Sequence, residues 1–200
     1  MHLSREVVKR LKLIIVDLDG TLVDTNIPWN DIRDKVRTIL KLDKSEPLKP
    51  LATALYRYHK LNPNFNEAIE LIERYELKSI NNMYYPANLP NVIKDLKAST
   101  GIKLGLVTLR SYRTLKPLLE KTKLSNLFDI VVTRDIAYDR YDQLIKVLNY
   151  TSIPSGSTLF IGDWIGDLNA GLKAGLHTII VNDPDEVIEI FKEIISIRTF

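Results

Sequence analysis

The amino-acid sequence predicts an α/β fold in which a parallel sheet carries an inserted group of helices. Five short apolar runs are rich in β-branched residues, and continuous apolar character is typical of strands buried on both faces. Helical patterns separate the later runs, and strands that alternate with helices indicate a parallel sheet. The apolar runs are Leu13–Val16, Ile102–Val107, Ile130–Thr133, Thr158–Ile161 and Thr178–Val181. The helical patterns are Ser111–Lys121, Tyr141–Tyr150, Asp167–Ala174 and, at the end of the chain, residues 185–200.

The chain between the first and second apolar runs is far longer than one crossover needs. Apolar residues recur in it at helical spacing, and prolines separate the helical segments. We therefore predict that residues 1–22 and 97–200 form the sheet domain and that residues 23–96 form a helical subdomain inserted after the first strand. The alternative is that these helices pack directly on the sheet. The segments concerned are Asp31–Leu42, Leu51–Leu61 and Glu67–Ile80.

Composition and charge exclude several classes of function. The 200 residues suffice for one domain with a modest insertion, and a net charge of +3 without a polybasic tail gives no indication of nucleic acid or membrane as a partner. Because the chain has no cysteine, disulfides, thiolate metal sites and cysteine nucleophiles are excluded. The first residues are unlike a signal peptide, and the apolar runs are too short to span a bilayer. We therefore expect a cytoplasmic protein.

Two aspartates follow the first predicted strand. Ligands of open α/β sheets bind outside the carboxyl ends of the strands, so Asp17 and Asp19 are predicted to lie at such a site. Alternation along an extended chain turns both carboxylates to one side, and Gly20 permits the turn that follows. Two close carboxylates repel each other unless a cation, a shared proton or strong hydrogen bonds offset their charge. Magnesium fits, because it prefers oxygen ligands and keeps waters that a phosphate can displace.

A second acidic pair follows the fourth predicted strand. Asp163 lies at the carboxyl end of that strand, and Asp167 begins the next predicted helix, where a carboxylate is favoured. The alternative interpretation is a strand–turn–helix that an aspartate merely caps. Two acidic strand ends in one chain make that alternative weaker.

Two segments resemble signatures of the haloacid dehalogenase superfamily, whose phosphatases use an aspartate nucleophile. They are residues 17–24 (Asp-Leu-Asp-Gly-Thr-Leu-Val-Asp) and 162–175 (Gly-Asp-Trp-Ile-Gly-Asp-Leu-Asn-Ala-Gly-Leu-Lys-Ala-Gly). The resemblance implies a Rossmann-like core. It also implies that Asp17 attacks the phosphate ester and forms an aspartyl-phosphate. Asp19 would protonate the leaving alkoxide and then activate water.

The resemblance further implies a Mg²⁺ cofactor and its ligands. Asp17 and Asp163 would bind the ion directly, and Asp19 would bind it through its backbone carbonyl. Asp167 would bind the ion or hold one of its waters.

Phosphate-binding residues are implied at the carboxyl ends of two strands. Thr108 follows the second predicted strand, where the family places a Ser or Thr that hydrogen-bonds the transferring phosphoryl group. The backbone N–H of Leu109 would add a donor for the phosphoryl oxygens, and Arg110 would contact phosphate or carboxylate. Gly20 and Thr21 of the first signature are also expected to bind phosphate.

The chain departs from the family pattern at one position. The family uses a Lys, often followed by Pro, to offset the charge of nucleophile and phosphate, and no Lys-Pro occurs in the region 133–146. Arg140 is our prediction for its replacement, because it lies just before a predicted helix and carries a permanent charge that can fork onto two oxygens. Lys146 is the second choice, more than one turn into that helix.

The predicted function is Mg²⁺-dependent hydrolysis of a small phosphate monoester, phosphoglycolate-like or a sugar phosphate. The helical insertion lies where the family carries a cap that closes over the site, with Thr25, Asn26 and Trp29 near its hinge. The expected partner is a small phosphorylated metabolite, neither nucleic acid nor membrane, and the protein is a monomer or a homodimer. A phosphosugar mutase and a non-catalytic binder of phosphate or of a partner remain as alternatives. Asp19 argues against a dehalogenase, and no cap lysine is marked as a Schiff-base residue of a phosphonatase.

Overall fold

The computed structural model describes residues 4–59 and 61–199, in which five strands and nine α-helices are assigned. The strands are β1 (Leu13–Val16), β2 (Lys103–Val107), β3 (Ile130–Val132), β4 (Thr158–Gly162) and β5 (His177–Ile180). The helices are α1 (Arg5–Arg10), α2 (Trp29–Leu40), α3 (Leu51–Tyr56), α4 (Phe65–Ser79), α5 (Leu89–Thr100), α6 (Tyr112–Thr122), α7 (Arg140–Thr151), α8 (Ile165–Lys173) and α9 (Pro184–Thr199). None of these helices has the length and apolar character that crossing a bilayer requires.

The strands form one parallel sheet in the order β3-β2-β1-β4-β5. The central strand β1 is buried along its whole length, as its continuous apolar run predicts. Val16 pairs with Leu106 of β2 and with Ile161 of β4, so the carboxyl ends of these three strands lie at one edge. The predicted α/β fold with a Rossmann-like parallel sheet is confirmed.

Side chains of β1 alternate between two hydrophobic clusters, one on each face of the sheet. Ile14 and Val16 pack in the cluster that contains residues of α5, α6 and α9. Leu13 and Ile15 pack in the cluster that contains residues of α7 and α8. Helices therefore cover both faces, and the polar loops at the carboxyl edge are held between two packed layers.

Helices α2, α3 and α4 bury a third cluster of their own, which includes Ile32, Val36, Leu55 and Ile72. This separate core favours the predicted insertion, which we retain as a proposal. The predicted boundary between residues 96 and 97 falls inside α5, whose Ile93 and Leu96 pack in the same cluster as the sheet. We therefore propose that the insertion ends before α5. Residues 1–3, 60 and 200 of the predicted domains lie outside the described residues.

Candidate active site

The segment after β1 forms a tight turn that presents two aspartates. The N–H of Asp17 continues the sheet by donating to the carbonyl of Ile161 at 2.9 Å, and the side chain is buried, with 4% of its surface exposed. Gly20 follows with φ of +86° and donates its N–H to the carbonyl of Val23 at 2.8 Å. A Cβ at Gly20 would lie 2.2 Å from Oδ2 of Asp163, so glycine leaves the space that this carboxylate occupies.

The carboxylates of Asp17, Asp163 and Asp167 converge at the carboxyl edge of the sheet. One oxygen from each lies within 4.8 Å of the other two. Asp167 is fully buried in the first turn of α8, and its Oδ2 accepts the N–H of Asp163 at 3.3 Å. Three converging carboxylate oxygens suit a hard divalent cation, so these residues fit the magnesium site that the sequence predicts. The carboxylate of Asp19 does not belong to this cluster.

Arg140 reaches into the acidic cluster from the start of α7. Its Nη2 donates to Oδ1 of Asp17 at 2.5 Å, and its Nε donates to Oδ1 of Asp167 at 2.8 Å. The remaining arm donates from Nη1 to Oε1 of Gln143 at 3.0 Å. The structure thus brings Arg140 to the predicted nucleophile. Lys146 lies elsewhere, in a groove lined by residues of α3, α7 and the loop before α7.

Gln143 holds Arg140 in place and was not predicted from the sequence. This fully buried amide donates from Nε2 to the carbonyls of Thr108 and Ala137 at 2.8 and 2.9 Å, while its Oε1 accepts from Arg140. It therefore links the end of β2 to the cation at the nucleophile. The only signal in the sequence is its position one turn after Arg140, which places both side chains on one side of α7.

Burial is the largest influence on the pKa values of Asp17, Asp163 and Arg140. Burial, together with the charges of Asp167, Asp163 and Asp19, raises the pKa of Asp17 well above its usual value, although Arg140 opposes the shift. Burial and the neighbouring Asp167 raise the pKa of Asp163 to about 6. Burial lowers the pKa of Arg140, but the charges of Asp17 and Asp167 outweigh this and raise it above its usual value. Arg140 alone therefore does not offset the negative charge of the carboxylates, and a further cation would stabilise their ionised form.

Thr108 and Leu109 line the cavity at the end of β2, as the predicted phosphate contacts should. Thr108 is buried, and its Oγ1 accepts the N–H of Arg110 at 3.1 Å. The hydroxyl hydrogen of Thr108 therefore remains available to an oxygen in the cavity. Neither Gly20 nor Thr21 is among the described residues that line the cavity, and Thr21 is fully buried. Their contact with phosphate stays a prediction.

The guanidinium of Arg110 binds the carboxylate of Asp19. It forks onto the two oxygens, with Nε to Oδ2 and Nη2 to Oδ1 both at 2.8 Å. Thr25 donates to the same Oδ1 at 2.7 Å. The remaining donors of Arg110 reach α4, and 1% of its surface is exposed. Arg110 also lines the cavity, so its contact with the substrate stays a prediction, although its fork is occupied by Asp19 in this structure.

Two buried glutamates of α4 face the loops after β2 and β3. Glu76 accepts from Arg134 at 3.0 Å and from the hydroxyl of Thr114 at 2.7 Å. Glu73 accepts from Ser111 at 2.6 Å and from Arg113 at 3.0 Å. These charged contacts hold α4 against the sheet domain beside the cavity. The sequence did not indicate them, because glutamates at this spacing on a helix usually face solvent.

A cavity of about 280 Å³ opens onto the acidic cluster, and residues of α2, α3 and α4, the helices of the proposed insertion, also line it. Arg33 of α2 and Lys49, just before α3, are part of that lining, together with Trp29. Across the described ranges neither cation forms a salt bridge. Arg33 donates to Asn30 at 2.5 Å, and Lys49 lies 5.5 Å from the centre of the Trp164 ring. Burial and the charge of Arg37 lower the pKa of Arg33.

Comparison with known proteins agrees with this arrangement. A family model described as haloacid dehalogenase-like hydrolase matches residues 14–181. Pyrophosphatase PpaX of Bacillus cereus is 27% identical over 199 residues, which cover 86% of this chain and 84% of that protein.

Among solved structures, a subfamily IA hydrolase of the same superfamily from Geobacter sulfurreducens superposes with a TM-score of 0.59 at 20% identity, over 92% of this chain and 97% of that one. A point mutant of CbbY from Rhodobacter sphaeroides, in complex with xylulose-1,5-bisphosphate, superposes with a TM-score of 0.64 at 18% identity, over 85% of each chain. These two likenesses concern the fold.

Proposed function

The chain belongs to the haloacid dehalogenase-like hydrolase family, and on that premise we propose that it hydrolyses a small phosphate monoester with Asp17 as the nucleophile. The observation that carries the proposal is the position of Asp17. Its carboxylate lies at the centre of the carboxyl edge, next to two further carboxylates and one buried cation. The pyrophosphatase activity named for the Bacillus relatives is consistent with attack on phosphorus.

The reaction proceeds in two steps at one carboxylate. An oxygen of Asp17 attacks phosphorus, the bond from phosphorus to the leaving oxygen breaks, and Asp19 gives that oxygen a proton. Water then attacks the phosphorus of the aspartyl-phosphate while Asp19 takes a proton from it. The bond from phosphorus to Asp17 breaks, which releases inorganic phosphate and restores the carboxylate. Thr108 holds a phosphoryl oxygen through both steps.

Arg140 supplies the positive charge that the family obtains from a lysine. Its contact with Asp17 keeps the nucleophile oriented, and its contact with Asp167 ties the same guanidinium to α8. A phosphate dianion that approaches three carboxylates meets repulsion, and Arg140 offsets part of it. Magnesium, held by Asp17, Asp163, Asp167 and the backbone carbonyl of Asp19, would supply the rest of that positive charge.

The lining of the cavity favours a substrate with a second anionic group. Arg33 and Lys49 lie on the side of the cavity that the insertion provides, and no salt bridge neutralises either within residues 4–59 and 61–199. A carboxylate or a second phosphate on the substrate would complete their charge balance, whereas a neutral sugar tail would not. We therefore favour a phosphoglycolate-like acid or a bisphosphate over a sugar with one phosphate.

The experiment that tests the nucleophile is release of phosphate from p-nitrophenyl phosphate. We expect turnover in the presence of magnesium, and loss of turnover with a chelator or in Asp17→Asn, because the amide cannot form the intermediate. Asp142→Asn, an exposed aspartate on α7, is the matched control and should keep full activity. Turnover that survives Asp17→Asn would refute the proposal. Absence of turnover on a wide panel of phosphate esters would favour the mutase or the non-catalytic binder.

The second anionic group is tested with a panel of monoesters that differ only in the distal group. We expect Arg33→Gln to raise KM for the distal-anion substrates by about tenfold, the effect of losing one charge-assisted contact, with little change for the neutral ones. Arg74→Gln, an exposed arginine of α4 outside the cavity, serves as the control. An equal effect of Arg33→Gln on both groups of substrates would contradict the assignment.

A further inference from the structure

We propose that Arg110 is a positioning residue that ties the orientation of the Asp19 carboxylate to the docking of α4. The proposal deepens the proposed function, since it rests on Asp19 as the proton donor and acceptor. It assigns Arg110 a role in orienting that group.

The guanidinium of Arg110 divides its donors between the two partners. Nε and one hydrogen of Nη2 bind the two oxygens of Asp19, both at 2.8 Å. Nη1 donates to the backbone carbonyl of Glu76 at 3.0 Å, and Nη2 also donates to the hydroxyl of Ser79 at 3.1 Å. Four of the five N–H groups of the guanidinium are thus engaged. Because the fork is planar and rigid, the position of one partner constrains the position of the other.

Arg110 contacts α4 at its C-terminal end, where helices favour a cation. Glu76 and Ser79 belong to its last turn, in which backbone carbonyls carry partial negative charge. The carbonyl of Glu76 also accepts the hydroxyl of Ser79 at 2.7 Å. Arg110 therefore stabilises the docked end of α4, and the docked end in turn holds the plane of the guanidinium. If this turn moves away, two donors of Arg110 lose their acceptors and only Asp19 remains to orient it.

Asp19 has no other charged partner that would hold its orientation among the described residues. Apart from Arg110 it accepts from Thr25 at 2.7 Å, an uncharged hydroxyl that contacts one of its two oxygens. The fork of Arg110 thus decides where the carboxylate points. Transfer of a proton to the leaving oxygen depends on that direction, so the end of α4 and the proton transfer are coupled.

Coupling of this kind is reciprocal, and it can be measured without turnover. We expect Asp19→Asn to accelerate hydrogen–deuterium exchange of the segment 76–83 by about tenfold, because the uncharged amide no longer fixes Arg110 against α4. Asp163→Asn is the matched control, since it removes a neighbouring carboxylate that does not touch Arg110. Unchanged exchange in Asp19→Asn, or an equal increase in Asp163→Asn, would overturn the coupling.

The dependence of kcat/KM on the leaving group tests the catalytic consequence. For Arg110→Lys we expect a loss of about 100-fold with phenyl phosphate, whose leaving group needs a proton, and a much smaller loss with 2,4-dinitrophenyl phosphate, whose leaving group does not. Ser79→Ala removes one of the two contacts of Arg110 on α4, leaves the contact with the carbonyl of Glu76, and should show the same pattern more weakly. Arg113→Gln is the control, because Arg113 binds α4 through Glu73 without reaching Asp19.

The outcomes separate this inference from the proposed function. Equal losses with both esters in Arg110→Lys and Ser79→Ala, while the wild type turns both over, would overturn the role of Arg110 and leave Asp17 as the nucleophile. A stronger dependence of kcat/KM on the leaving group in Arg113→Gln than in the wild type would also overturn that role. If the wild type turns over neither ester, the proposed function is contradicted. The hydrogen–deuterium exchange experiment alone would then test the coupling between Asp19 and α4.

Discussion

At the scale of single residues, Arg140 is our proposal for the side chain that replaces the family's lysine. A lysine ammonium is a point charge with three donors, whereas the guanidinium reaches Asp17, Asp167 and Gln143 with three different nitrogens. These three contacts hold the guanidinium of Arg140 in one position. Its replacement therefore affects both the charge and the order of the site.

Substitution of Arg140 separates these two effects. We expect Arg140→Gln to lower the free energy of unfolding of the metal-free protein by about 3 kcal/mol, because two buried carboxylates lose their cation. Arg140→Lys keeps the charge and should lose less stability, but it should turn over more slowly than the wild type because it cannot hold Asp17 and Asp167 together. Urea unfolding and phosphate release measure the two quantities. Equal stability of Arg140→Gln and wild type would contradict the assigned charge balance.

At the scale of elements, α4 is the helix that joins the insertion to the sheet domain through buried charges. Its apolar side, which includes Ala68 and Ile72, packs in the core of the insertion. Its last two turns carry Glu73 and Glu76, which bind residues that follow β2 and β3. One helix therefore belongs to both packed regions, and its polar end borders the cavity.

The buried charge of Glu76 should contribute strongly to stability. We expect Glu76→Ala to cost about 3 kcal/mol in the free energy of unfolding, since Arg134 would stay buried without its nearest carboxylate. Glu70→Ala, the same change at an exposed position of α4, is the matched control and should cost little. Denaturant unfolding of both variants measures the difference. A loss no greater than that of the control would show that Arg134 finds another partner.

Helix α5 was not predicted, although its ends carry recognisable signals. Pro90 lies in its first turn, and Gly101 ends it with φ of +67°. Both are positions that these residues favour at helix ends. Because the gap between the first two strands is long, the sequence predicts an insertion that includes most of α5. Its packing against α9 and in the same cluster as the sheet supports our proposal that α5 belongs to the sheet domain.

At the scale of the whole molecule, the parallel sheet gathers residues that are far apart in the sequence. Asp17, Thr108 and Asp163 follow three neighbouring strands, so the topology alone places them at one edge. Helices on both faces bury the strands. The acidic cluster is thus formed only in the folded protein.

Binding of a divalent cation to this cluster should therefore stabilise the fold as a whole. We expect magnesium to raise the midpoint of thermal unfolding, because the ion binds the folded state and not the dispersed carboxylates of the unfolded chain. Asp163→Asn should lose most of that increase. Glu189→Gln, which removes a surface carboxylate of α9, should keep it. An increase that persists in Asp163→Asn would place the cation elsewhere.

The sequence by itself determined the strands, the parallel sheet and the positions of Asp17, Asp163 and Thr108 at its carboxyl edge. Hydrophobic periodicity is a local property, and the carboxyl ends of the strands of a parallel sheet all lie at one edge. It also predicted Arg140 ahead of Lys146. The two residues lie six positions apart on α7, about 240° around the helix, so both cannot face the same site.

Only the tertiary structure decided which charges pair. Arg110 could face phosphate or carboxylate until the packing of α4 against the end of β2 placed it between Asp19 and the last turn of that helix. The burial of Glu76 likewise depends on contacts with Thr114 and Arg134, which lie 38 and 58 residues away along the chain. Such partners are set by how helices dock on the sheet, and no local pattern encodes that docking.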